Sequence, residues 1–370
     1  MPKSVLVITG IFPPDSGGPA KFAMEFGKWV SEKNIEVRVQ TYSDELSVRN
    51  ELSPFNLSSV SRGNKIFLRY ALMIKAIGIN VNTETSVLAI GAFLETYFSS
   101  IIKRFEYVAK VPGDIVWERA RNNGVTKLQI NEFQNEKMTL KYRVFRNLYT
   151  KSLKRARIVI VPSMGLYRLC VSWGVSESKI RLIYNSVSFE SESADVLVEK
   201  KFDLITVCRL APWKGVDELI EYAAKRDLSL LILGDGPDKV RLESLASALK
   251  AKVTFVGEVA PHQVQKYLAQ SKLFVLNSYY EGLPHALVEA RVAGILSVGR
   301  AGTGSEEVIN DDIDGFLIRR DRPLEDTLDM ALVMVSDSHP MISKAKIDSS
   351  QRFSKASNFP AILKEIQSLD

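Results

Sequence analysis

Short runs of aliphatic and β-branched residues alternate with amphipathic helical patterns along nearly the whole chain. The first run, Ser4–Thr9, is followed by a polar loop and then by Pro19–Lys33, in which large apolar residues recur at helical spacing. Parallel strands need a long crossover between them, usually a helix, so this alternation predicts parallel sheets with helices on both faces. We therefore expect an α/β fold.

The alternation breaks once, over residues 185–201, where Ser and Glu are frequent and apolar periodicity is lost. A chain of 370 residues is also long for one hydrophobic core and suitable for two. We predict an N-terminal domain over residues 1–185, a C-terminal domain over 186–350, and a last helical segment over 351–370, for which packing back on the first domain is one arrangement. Both domains are predicted to be doubly wound parallel sheets facing a central cleft, where ligands bind beyond the carboxyl ends of the strands.

The same periodicities assign the remaining elements. In the first domain they predict strands over Ile35–Thr41, Ser86–Ile90, Tyr107–Val111 and Ile158–Val161, and helices over Lys65–Asn80, Ala92–Phe105 and Glu136–Arg155. In the second domain they predict strands over Asp203–Val207, Ser229–Leu233, Lys252–Val256, Leu273–Leu276, Ile295–Val298 and Gly315–Ile318. Helices are predicted there over Val216–Lys225, Pro237–Lys250 and Pro261–Gln270, from near Pro284, and from Leu324 onward.

Composition narrows the classes of partner. The 49 Lys and Arg residues and 43 Asp and Glu residues give a formal net charge of +6, which permits phosphate ligands or an acidic membrane surface and gives no indication of nucleic acid. The two cysteines, Cys170 and Cys208, fit neither a metal-ligand spacing nor a disulfide framework, so a cytoplasmic location is expected. No apolar run reaches the roughly 18 to 20 residues of a membrane span, and Val5–Ile8 is too short for a signal-peptide core.

The stretch Ser278–Ala290 carries the strongest functional signal. Two carboxylates, Glu281 and Glu289, stand eight residues apart around a predicted helix start, where Pro284 suits the first turn. The free backbone N–H groups of residues 283–287 would point between them and attract phosphate. A seat for an anion beside two groups that accept hydrogen bonds from sugar hydroxyls suits a nucleotide-sugar.

Two cations follow the first strand of the second domain. Arg209 and Lys214 lie in one loop directly after the strand that ends at Val207. Arginine binds phosphate with two hydrogen bonds, and lysine adds a compact charge. Surface cations in loops are usually only solvated, but the position at a strand end favours a clamp for a diphosphate.

Glycines occupy several strand-to-helix turns and permit close approach of the backbone to a ligand. They occur at Gly17-Gly18, at Gly234 and at Val256-Gly257, where the last pair would contact a base through its backbone. Ordinary tight turns explain the same patterns, and the dinucleotide fingerprint Gly-x-Gly-x-x-Gly is absent. Asp311-Asp312-Ile313-Asp314 invites a metal site, but a turn before a strand is favoured and no metal is expected.

Together these residues resemble the retaining glycosyltransferases of family 4, which have two Rossmann-like domains in the GT-B architecture. The resemblance covers nearly the whole chain and rests on Gly17-Gly18, Arg209 with Lys214-Gly215, Gly234-Asp235-Gly236-Pro237, and the Glu-x7-Glu pair Glu281 and Glu289. It implies transfer of a sugar from a nucleotide-diphosphate sugar to a saccharide or lipid-linked acceptor, with retained anomeric configuration. It also implies no catalytic metal and no cofactor besides the donor as co-substrate. The N-terminal domain would bind the acceptor and the C-terminal domain the donor.

Carried over to this chain, the resemblance implies a role for each motif. Glu289 would hold the donor ribose hydroxyls, and Glu281 would face the transferred sugar. Arg209 and Lys214 would neutralise the diphosphate, helped by backbone N–H groups near Leu287. The other donor contacts implied are Gly17, Gly18, Gly234, Val256, Gly257, Gly282, Leu283 and Pro284.

One departure concerns the reacting sugar. Many relatives have a histidine in the first domain, whereas all three histidines of this chain lie in its second half. The corresponding strand end runs from Lys110 to Asp114, so Asp114 is the candidate contact to a donor or acceptor hydroxyl, with a capping role in the turn as the alternative.

Other interpretations stay open at this point. The basic segment Arg143–Arg157 is interpreted as a solvated helix face, with contact to an anionic membrane at its cytoplasmic side, or to a charged acceptor, as the alternative. A protein that binds a nucleotide-sugar without turnover, or a GT-B sugar epimerase, would also fit the motifs.

Overall fold

The computed structural model of the chain describes residues 4–15, 17–44, 55–126, 128, 130–187, 199–335 and 340–368, without the side chains of residues 122, 131, 261 and 262. The chain divides into two compact units. The first unit is Met1–Ile183 with Phe359–Asp370, and the second unit is Tyr184–Asn358. Each unit contains its own parallel sheet, and the predicted α/β class with two Rossmann-like domains is confirmed.

The sheet of the first unit contains seven strands among the described residues. They are β1 (Ser4–Thr9), β2 (Glu36–Tyr42), β3 (Asn56–Val60), β4 (Thr85–Ile90), β5 (Val108–Lys110), β6 (Ile158–Val161) and β7 (Ile180–Leu182), in the order β3-β2-β1-β4-β5-β6-β7. Their described pairings are parallel, and in the central strand Val5 is paired with Val37 on one side and Ser86 on the other. Every residue of β1 is buried, as a central strand covered on both faces requires.

Helices cover both faces of this sheet. They are α1 (Gly18–Ser31), α2 (Ile66–Asn80), α3 (Phe93–Lys103), α4 (Ile115–Asn122), α5 (Ile130–Phe133), α6 (Leu140–Arg155) and α7 (Met164–Ser172). The strand order reverses direction at β1, and crossovers between parallel strands are right-handed. Helix α1 therefore lies on one face, and α2, α3 and α6 lie together on the other.

The C-terminal helix belongs to the core of the first unit. It runs over Lys355–Gln367, after the second unit in the chain, and is numbered α14. The ring of Phe359 lies 5.4 Å from that of Phe26 and 5.6 Å from that of Trp29, both on α1. Ile362 and Ile366 are buried in the same cluster.

The second unit repeats the architecture with six described strands. They are β8 (Phe202–Val207), β9 (Leu230–Leu233), β10 (Val253–Gly257), β11 (Ser271–Leu276), β12 (Leu296–Arg300) and β13 (Phe316–Ile318), in the order β10-β9-β8-β11-β12-β13. The helices are α8 (Val216–Lys225), α9 (Lys239–Ala248), α10 (Pro261–Ala269), α11 (His285–Val292), α12 (Leu324–Val333) and α13 (Pro340–Arg352). None of the helices in the described ranges is both long and apolar enough to cross a membrane.

Five strands and α-helices in the described part of the first unit were missed by the sequence pattern, among them α5, which has only four residues. Strand β3 reads Asn-Leu-Ser-Ser-Val, an edge strand with too few apolar residues to show a period, and β7 has only three residues. Helices α4 and α7 begin so soon after a strand that their apolar residues do not form a separate helical pattern in the sequence. The predicted helix from Glu136 begins at Leu140 instead, after Thr139 in an extended conformation.

Candidate active site

The carboxyl ends of β8 and β11 bring the main predicted residues of the second unit together. These two strands are neighbours in the sheet although β9 and β10 lie between them in the chain. The loop after β8 contains a short 3-10 helix, Pro212–Lys214, and leads into α8, whereas the loop after β11 leads into α11. Open α/β sheets bind ligands at such a reversal of strand order.

Lys214 and Glu281 form an ion pair at this edge. The Lys214 Nζ lies 2.5 Å from Glu281 Oε1, and the two side chains are only 14% and 15% exposed. The two loops are also joined through the backbone, because the Tyr279 N–H donates to the Trp213 carbonyl at 2.8 Å. The sequence predicted a role for each residue separately, and the structure places them in contact.

Arg209 stands in the same loop with its charge unbalanced. It is exposed, and among the described residues it makes no hydrogen bond or ion pair. Because the charge of Lys214 is already balanced by Glu281, Arg209 is the cation of this loop that is available to an incoming anion. The predicted diphosphate contact of Arg209 stays a prediction.

The start of α11 differs from the prediction by one position. Pro284 is the residue before the helix, which begins at His285, and no side chain caps the first turn. First-turn N–H groups without a capping side chain leave a partial positive charge at this end. The N–H of Leu287, predicted to bind phosphate, donates to the Pro284 carbonyl at 3.1 Å.

The remaining residues of the Glu-x7-Glu element lie on either side of this helix start. Glu289 is half-buried within α11, and Leu283 is buried in the core of the second unit. A Cβ added at Gly282 would meet open space. Their contacts with a donor stay predictions.

The loop of Glu281 rests on the loop that follows β12. The Glu281 N–H donates to the Thr303 carbonyl at 2.6 Å. The next residue, Gly304, has φ 104°, and a Cβ there would lie 2.5 Å from the Glu281 carbonyl oxygen. Position 304 therefore requires glycine for both its conformation and its contact with the loop of Glu281.

We expect Gly304→Ala to lower the free energy of unfolding by about 2 to 4 kcal/mol, because it adds a backbone clash to an unfavourable φ. Gly302→Ala is the matched control, since Gly302 has φ 75° and open space around its Cβ position. Chemical denaturation of both variants measures the difference, which isolates the clash. Equal losses in the two variants would contradict the packing of Gly304 on Glu281.

Gly234 serves the packing of the protein itself. It has φ 124°, and a Cβ there would lie 2.0 Å from the Cys208 carbonyl oxygen. The loop after β9 thus packs directly on the end of β8, which is the tight turn that the sequence left as the alternative. Gly257 has open space around it, and Val256 is half-buried beside the core; donor contacts by all three stay predictions.

Asn277 and Arg300 link the loops that follow β8, β11 and β12. Neither residue was found from the sequence. The buried Asn277 Nδ2 donates to the Gly215 carbonyl at 2.9 Å, and its Oδ1 accepts from Arg300 Nε at 3.0 Å. Arg300 Nη2 also donates to Glu218 at 2.8 Å. Asn277 directly follows β11 and Arg300 ends β12, so polar residues at strand ends were the available signal.

The aspartates before β13 form a turn rather than an open cluster. Asp311 accepts hydrogen bonds from the Leu317 N–H at 2.8 Å and from Arg319 at 2.6 Å. The Asp314 carboxylate accepts from the buried Arg291 at 3.0 Å. This is the arrangement that the sequence favoured over a metal site.

A cavity of about 360 Å³ lies at the corresponding edge of the first unit. It adjoins the carboxyl ends of β1, β2 and β4, next to the turn that contains Gly17 and Gly18. Gly17 precedes α1 with φ 138°, and Gly18 has open space around its Cβ position. The charged and phenolic residues that line the cavity are Tyr42, Arg62, Arg69, Tyr70, Glu95, Glu118, Arg119 and Tyr149.

A buried carboxyl group lies in the wall of this cavity. The Tyr42 hydroxyl donates to Glu95 Oε1 at 2.7 Å, and Glu95 is only 6% exposed. Burial raises the pKa of Glu95 above its ordinary 4.5, and burial likewise raises the pKa of Glu118. The cavity thus combines arginines with carboxyl groups whose pKa burial raises, a set that can hydrogen-bond a polyhydroxylated ligand.

Glu95 gives the stability of the protein a defined pH dependence. Between pH 4.5, the ordinary pKa, and the raised pKa of the folded state, Glu95 loses its proton more readily in the unfolded chain than in the folded one, so the unfolding free energy falls as pH rises through this range. We expect this decrease to reach about 1.4 kcal/mol per pH unit at most and to be absent from Glu95→Gln. Urea titrations of both proteins between weakly acidic and neutral pH measure it. A constant difference between the two proteins would mean that Glu95 is ionised in the fold.

Asp114 is the cap of α4 and half of a buried ion pair. Its Oδ1 accepts from the N–H groups of Val116 at 3.0 Å and Trp117 at 3.2 Å. Its Oδ2 accepts from Gln134 at 3.0 Å and from Arg146 at 2.8 Å. The capping alternative is thus present in the structure, and a ligand hydroxyl would have to replace one of these bonds.

Nearly the whole chain is similar in fold to a protein whose structure was determined with UDP and glucose. The crystal structure of HepE from Anabaena, in complex with UDP and glucose, matches with a TM-score of 0.75 and 17% identity, over 99% of this chain and 100% of that chain. The chain has the GT-B fold. In sequence, residues 188–346 match the family described as "Glycosyl transferases group 1". The resemblance to GT-B glycosyltransferases is confirmed, whereas family 4 and retention stay predictions.

The matches to two curated relatives each cover about half of the relative's length. An uncharacterised glycosyltransferase of Methanocaldococcus jannaschii is 27% identical over 53% of this chain and 53% of its own. The N-acetylgalactosamine-N,N'-diacetylbacillosaminyl-diphospho-undecaprenol 4-alpha-N-acetylgalactosaminyltransferase of Campylobacter jejuni is 29% identical over 53% of this chain and 57% of its own. The chain thus spans about half the length of the curated relatives it matches.

Proposed function

We propose that this protein transfers a hexosyl group from a nucleotide-diphosphate sugar to a saccharide or lipid-linked acceptor, with retained anomeric configuration and without a catalytic metal. The observation that carries the proposal is the Lys214–Glu281 ion pair in the loop of Arg209, which pairs with no described residue, at the reversal of strand order in the second unit. The GT-B fold and the group 1 match support the class of reaction. The donor is the only co-substrate proposed.

In the proposed reaction the bond between the sugar C1 and the diphosphate oxygen breaks, and its electron pair stays on the diphosphate. The acceptor hydroxyl forms the new bond to C1 on the same face, and its proton passes to the departing diphosphate. Arg209, Lys214 and the uncapped start of α11 stabilise the developing negative charge, because groups fixed in advance need no reorganisation. This supply of positive charge is the reason for proposing that no metal ion takes part.

Glu281 has a positioning role in this proposal. Its contact holds the Lys214 ammonium in one place, and its remaining carboxylate oxygen is able to accept a hydrogen bond from the transferred sugar. Glu289 is proposed to hold the ribose hydroxyls of the donor. Both roles rest on the resemblance together with the location of these residues around the start of α11.

The acceptor side is proposed from the relatives and from the first unit. The Campylobacter relative is named for a diphospho-undecaprenol acceptor, which supports a lipid-linked acceptor here. The first-unit cavity, with its arginines and its carboxyl groups of raised pKa, is the proposed acceptor site. We further propose that the protein acts in the cytoplasm at the cytoplasmic membrane face, in assembly of a polysaccharide or lipopolysaccharide.

The test is a panel of UDP-, GDP- and ADP-sugars, with saccharide and lipid-linked acceptors and with and without a metal chelator. Nucleotide release that requires an acceptor and persists with the chelator is expected, and NMR of the product should show the anomeric configuration of the donor. Binding without turnover on every acceptor would favour a nucleotide-sugar-binding protein. Conversion of the donor sugar without transfer would favour an epimerase.

A further inference from the structure

Exposed large hydrophobic side chains are concentrated on three helices of the first unit. Of the 18 found in the described part of the chain, ten lie on α2, α3 and α6. Single exposed hydrophobic residues are normal on protein surfaces, whereas a group of this kind marks an interaction site. The ten are Ile66, Phe67, Leu68, Leu72 and Ile79 on α2, Phe98, Ile101 and Ile102 on α3, and Leu140 and Val144 on α6.

These helices form one continuous layer. All three belong to the same face of the first sheet, and α3 contacts both α2 and α6. Helices α2 and α3 pack closely at Gly78, where a Cβ would lie 3.1 Å from the side chain of Lys103. Helix α6 is joined to α3 through Arg155, whose Nε donates to Ser100 Oγ at 2.8 Å. The exposed apolar residues therefore belong to one layer of packed helices.

The exposed charges of this layer have one sign. Helices α2 and α6 contain no acidic residue, and Glu95 of α3 is buried against Tyr42. Not every cation of α6 is available, because Arg146 is held by Asp114. The exposed cations on or directly before these helices are Lys65, Lys75, Lys103, Lys141, Arg143, Lys151, Lys154 and Arg155. A surface of apolar side chains with cations alone is complementary to an anionic lipid surface.

We infer that the exposed layer of α2, α3 and α6 docks this protein on an anionic bilayer. Phe67 is 88% exposed in the first turn of α2, so its ring is the side chain of this helix most available to enter the interfacial region. The lysines extend to the headgroups along their apolar stems. A second copy of the chain fits less well, since a two-fold interface would oppose two positive surfaces and protein interfaces are depleted of lysine.

Docking also has a consequence for the first-unit cavity. Arg69 and Tyr70 line that cavity from the same end of α2 as Phe67, and Arg62 lines it from the turn before this helix. A bilayer bound by this end lies near the cavity, where the polar part of a lipid-linked acceptor would bind. This consequence rests on the proposed function, whereas the docking itself does not.

The test is co-sedimentation of the full chain with phosphatidylcholine vesicles that contain or lack phosphatidylglycerol. The wild type is expected to bind only the vesicles with phosphatidylglycerol. Phe67→Ser with Ile102→Ser should weaken this binding at least roughly ten-fold, because two apolar side chains that the bilayer would bury are lost. Lys75→Glu with Lys103→Glu should weaken it similarly through charge. Val333→Ser is the matched control, since Val333 on α12 is also 88% exposed but lies in the second unit.

Several outcomes would overturn the inference. They are absence of binding by the wild type to the vesicles with phosphatidylglycerol, equal loss in Val333→Ser, or a wild-type dimer in solution that Phe67→Ser dissociates. Thermal melting checks that each variant is folded. Turnover with a soluble saccharide acceptor, measured without vesicles, is expected to be unchanged in Phe67→Ser with Ile102→Ser, so failure of docking and failure of the proposed transfer are distinguished.

Discussion

Lys214→Ala is expected to lower kcat/KM for a nucleotide-diphosphate sugar by about 100- to 1,000-fold, the loss typical of removing one group that stabilises developing charge. The variant loses the cation and also leaves the Glu281 carboxylate without its partner. An unbalanced carboxylate at this edge would repel the diphosphate, so donor affinity should fall as well. Initial rates of nucleotide release at varied donor concentration measure both effects.

Lys225→Ala is the control for this prediction. Lys225 is also in the second unit and also pairs with a glutamate, Glu325, but both side chains are largely exposed. Such a pair contributes little, so kcat/KM should stay within about two-fold of wild type. If Lys214→Ala behaved like Lys225→Ala, the assignment of the site to the ends of β8 and β11 would be wrong.

Arg209→Ala separates function from stability more cleanly. Because Arg209 is exposed and makes no hydrogen bond or ion pair with another described residue, its removal should leave the unfolding free energy nearly unchanged. Donor binding and kcat/KM should nevertheless fall, by about ten-fold or more, if its guanidinium binds phosphate. If Arg209→Ala lost stability but kept normal kinetics, Arg209 would be a structural residue rather than a phosphate contact.

The local sequence pattern was sufficient to predict the strands of both parallel sheets other than β3 and β7, since buried parallel strands are nearly continuous apolar runs. It was not sufficient for the contact between Lys214 and Glu281, which stand 67 positions apart and meet because β8 pairs with β11. Pairing of strands that are not consecutive depends on the whole sheet order. Asn277 and Arg300 were missed for the same reason.

The surface of α2 shows a different limit. The pattern over 65–80 predicted a helix correctly, but with large apolar residues on most sides it did not indicate which of them face the core. In the structure Met73, Ile77 and Gly78 are buried, whereas Phe67 and Ile79 are exposed. Which apolar residues remain outside depends on the neighbouring helix, and this is information that one helix's sequence lacks.

Asp114→Ala is expected to lower the free energy of unfolding by about 3 to 5 kcal/mol, because it leaves the guanidinium of Arg146 without its charged partner in a buried position. The Asp114 side chain is fully buried and that of Arg146 is 13% exposed. Burial alone already lowers the pKa of Arg146. The same substitution removes the cap of α4, whose loss typically costs about 1 kcal/mol. Urea denaturation followed by circular dichroism measures the total.

Asp114→Asn divides this loss into its two parts. Asparagine can still accept the N–H bonds of Val116 and Trp117, so it preserves the cap and removes only the charge opposite Arg146. The difference between the alanine and asparagine variants should then be about 1 kcal/mol. Glu106→Gln is the control, because its pair with Arg157 is exposed and should contribute about 0 to 1 kcal/mol.

The two interpretations of Asp114 make opposite predictions for these variants. If Asp114 only caps and pairs, activity should fall no further than the loss of folded protein explains, and should recover at lower temperature as the folded fraction recovers. If its carboxylate binds a donor or acceptor hydroxyl, Asp114→Asn should lower kcat/KM in fully folded protein. Since all four hydrogen bonds of the carboxylate are made within the first unit, we expect the first result.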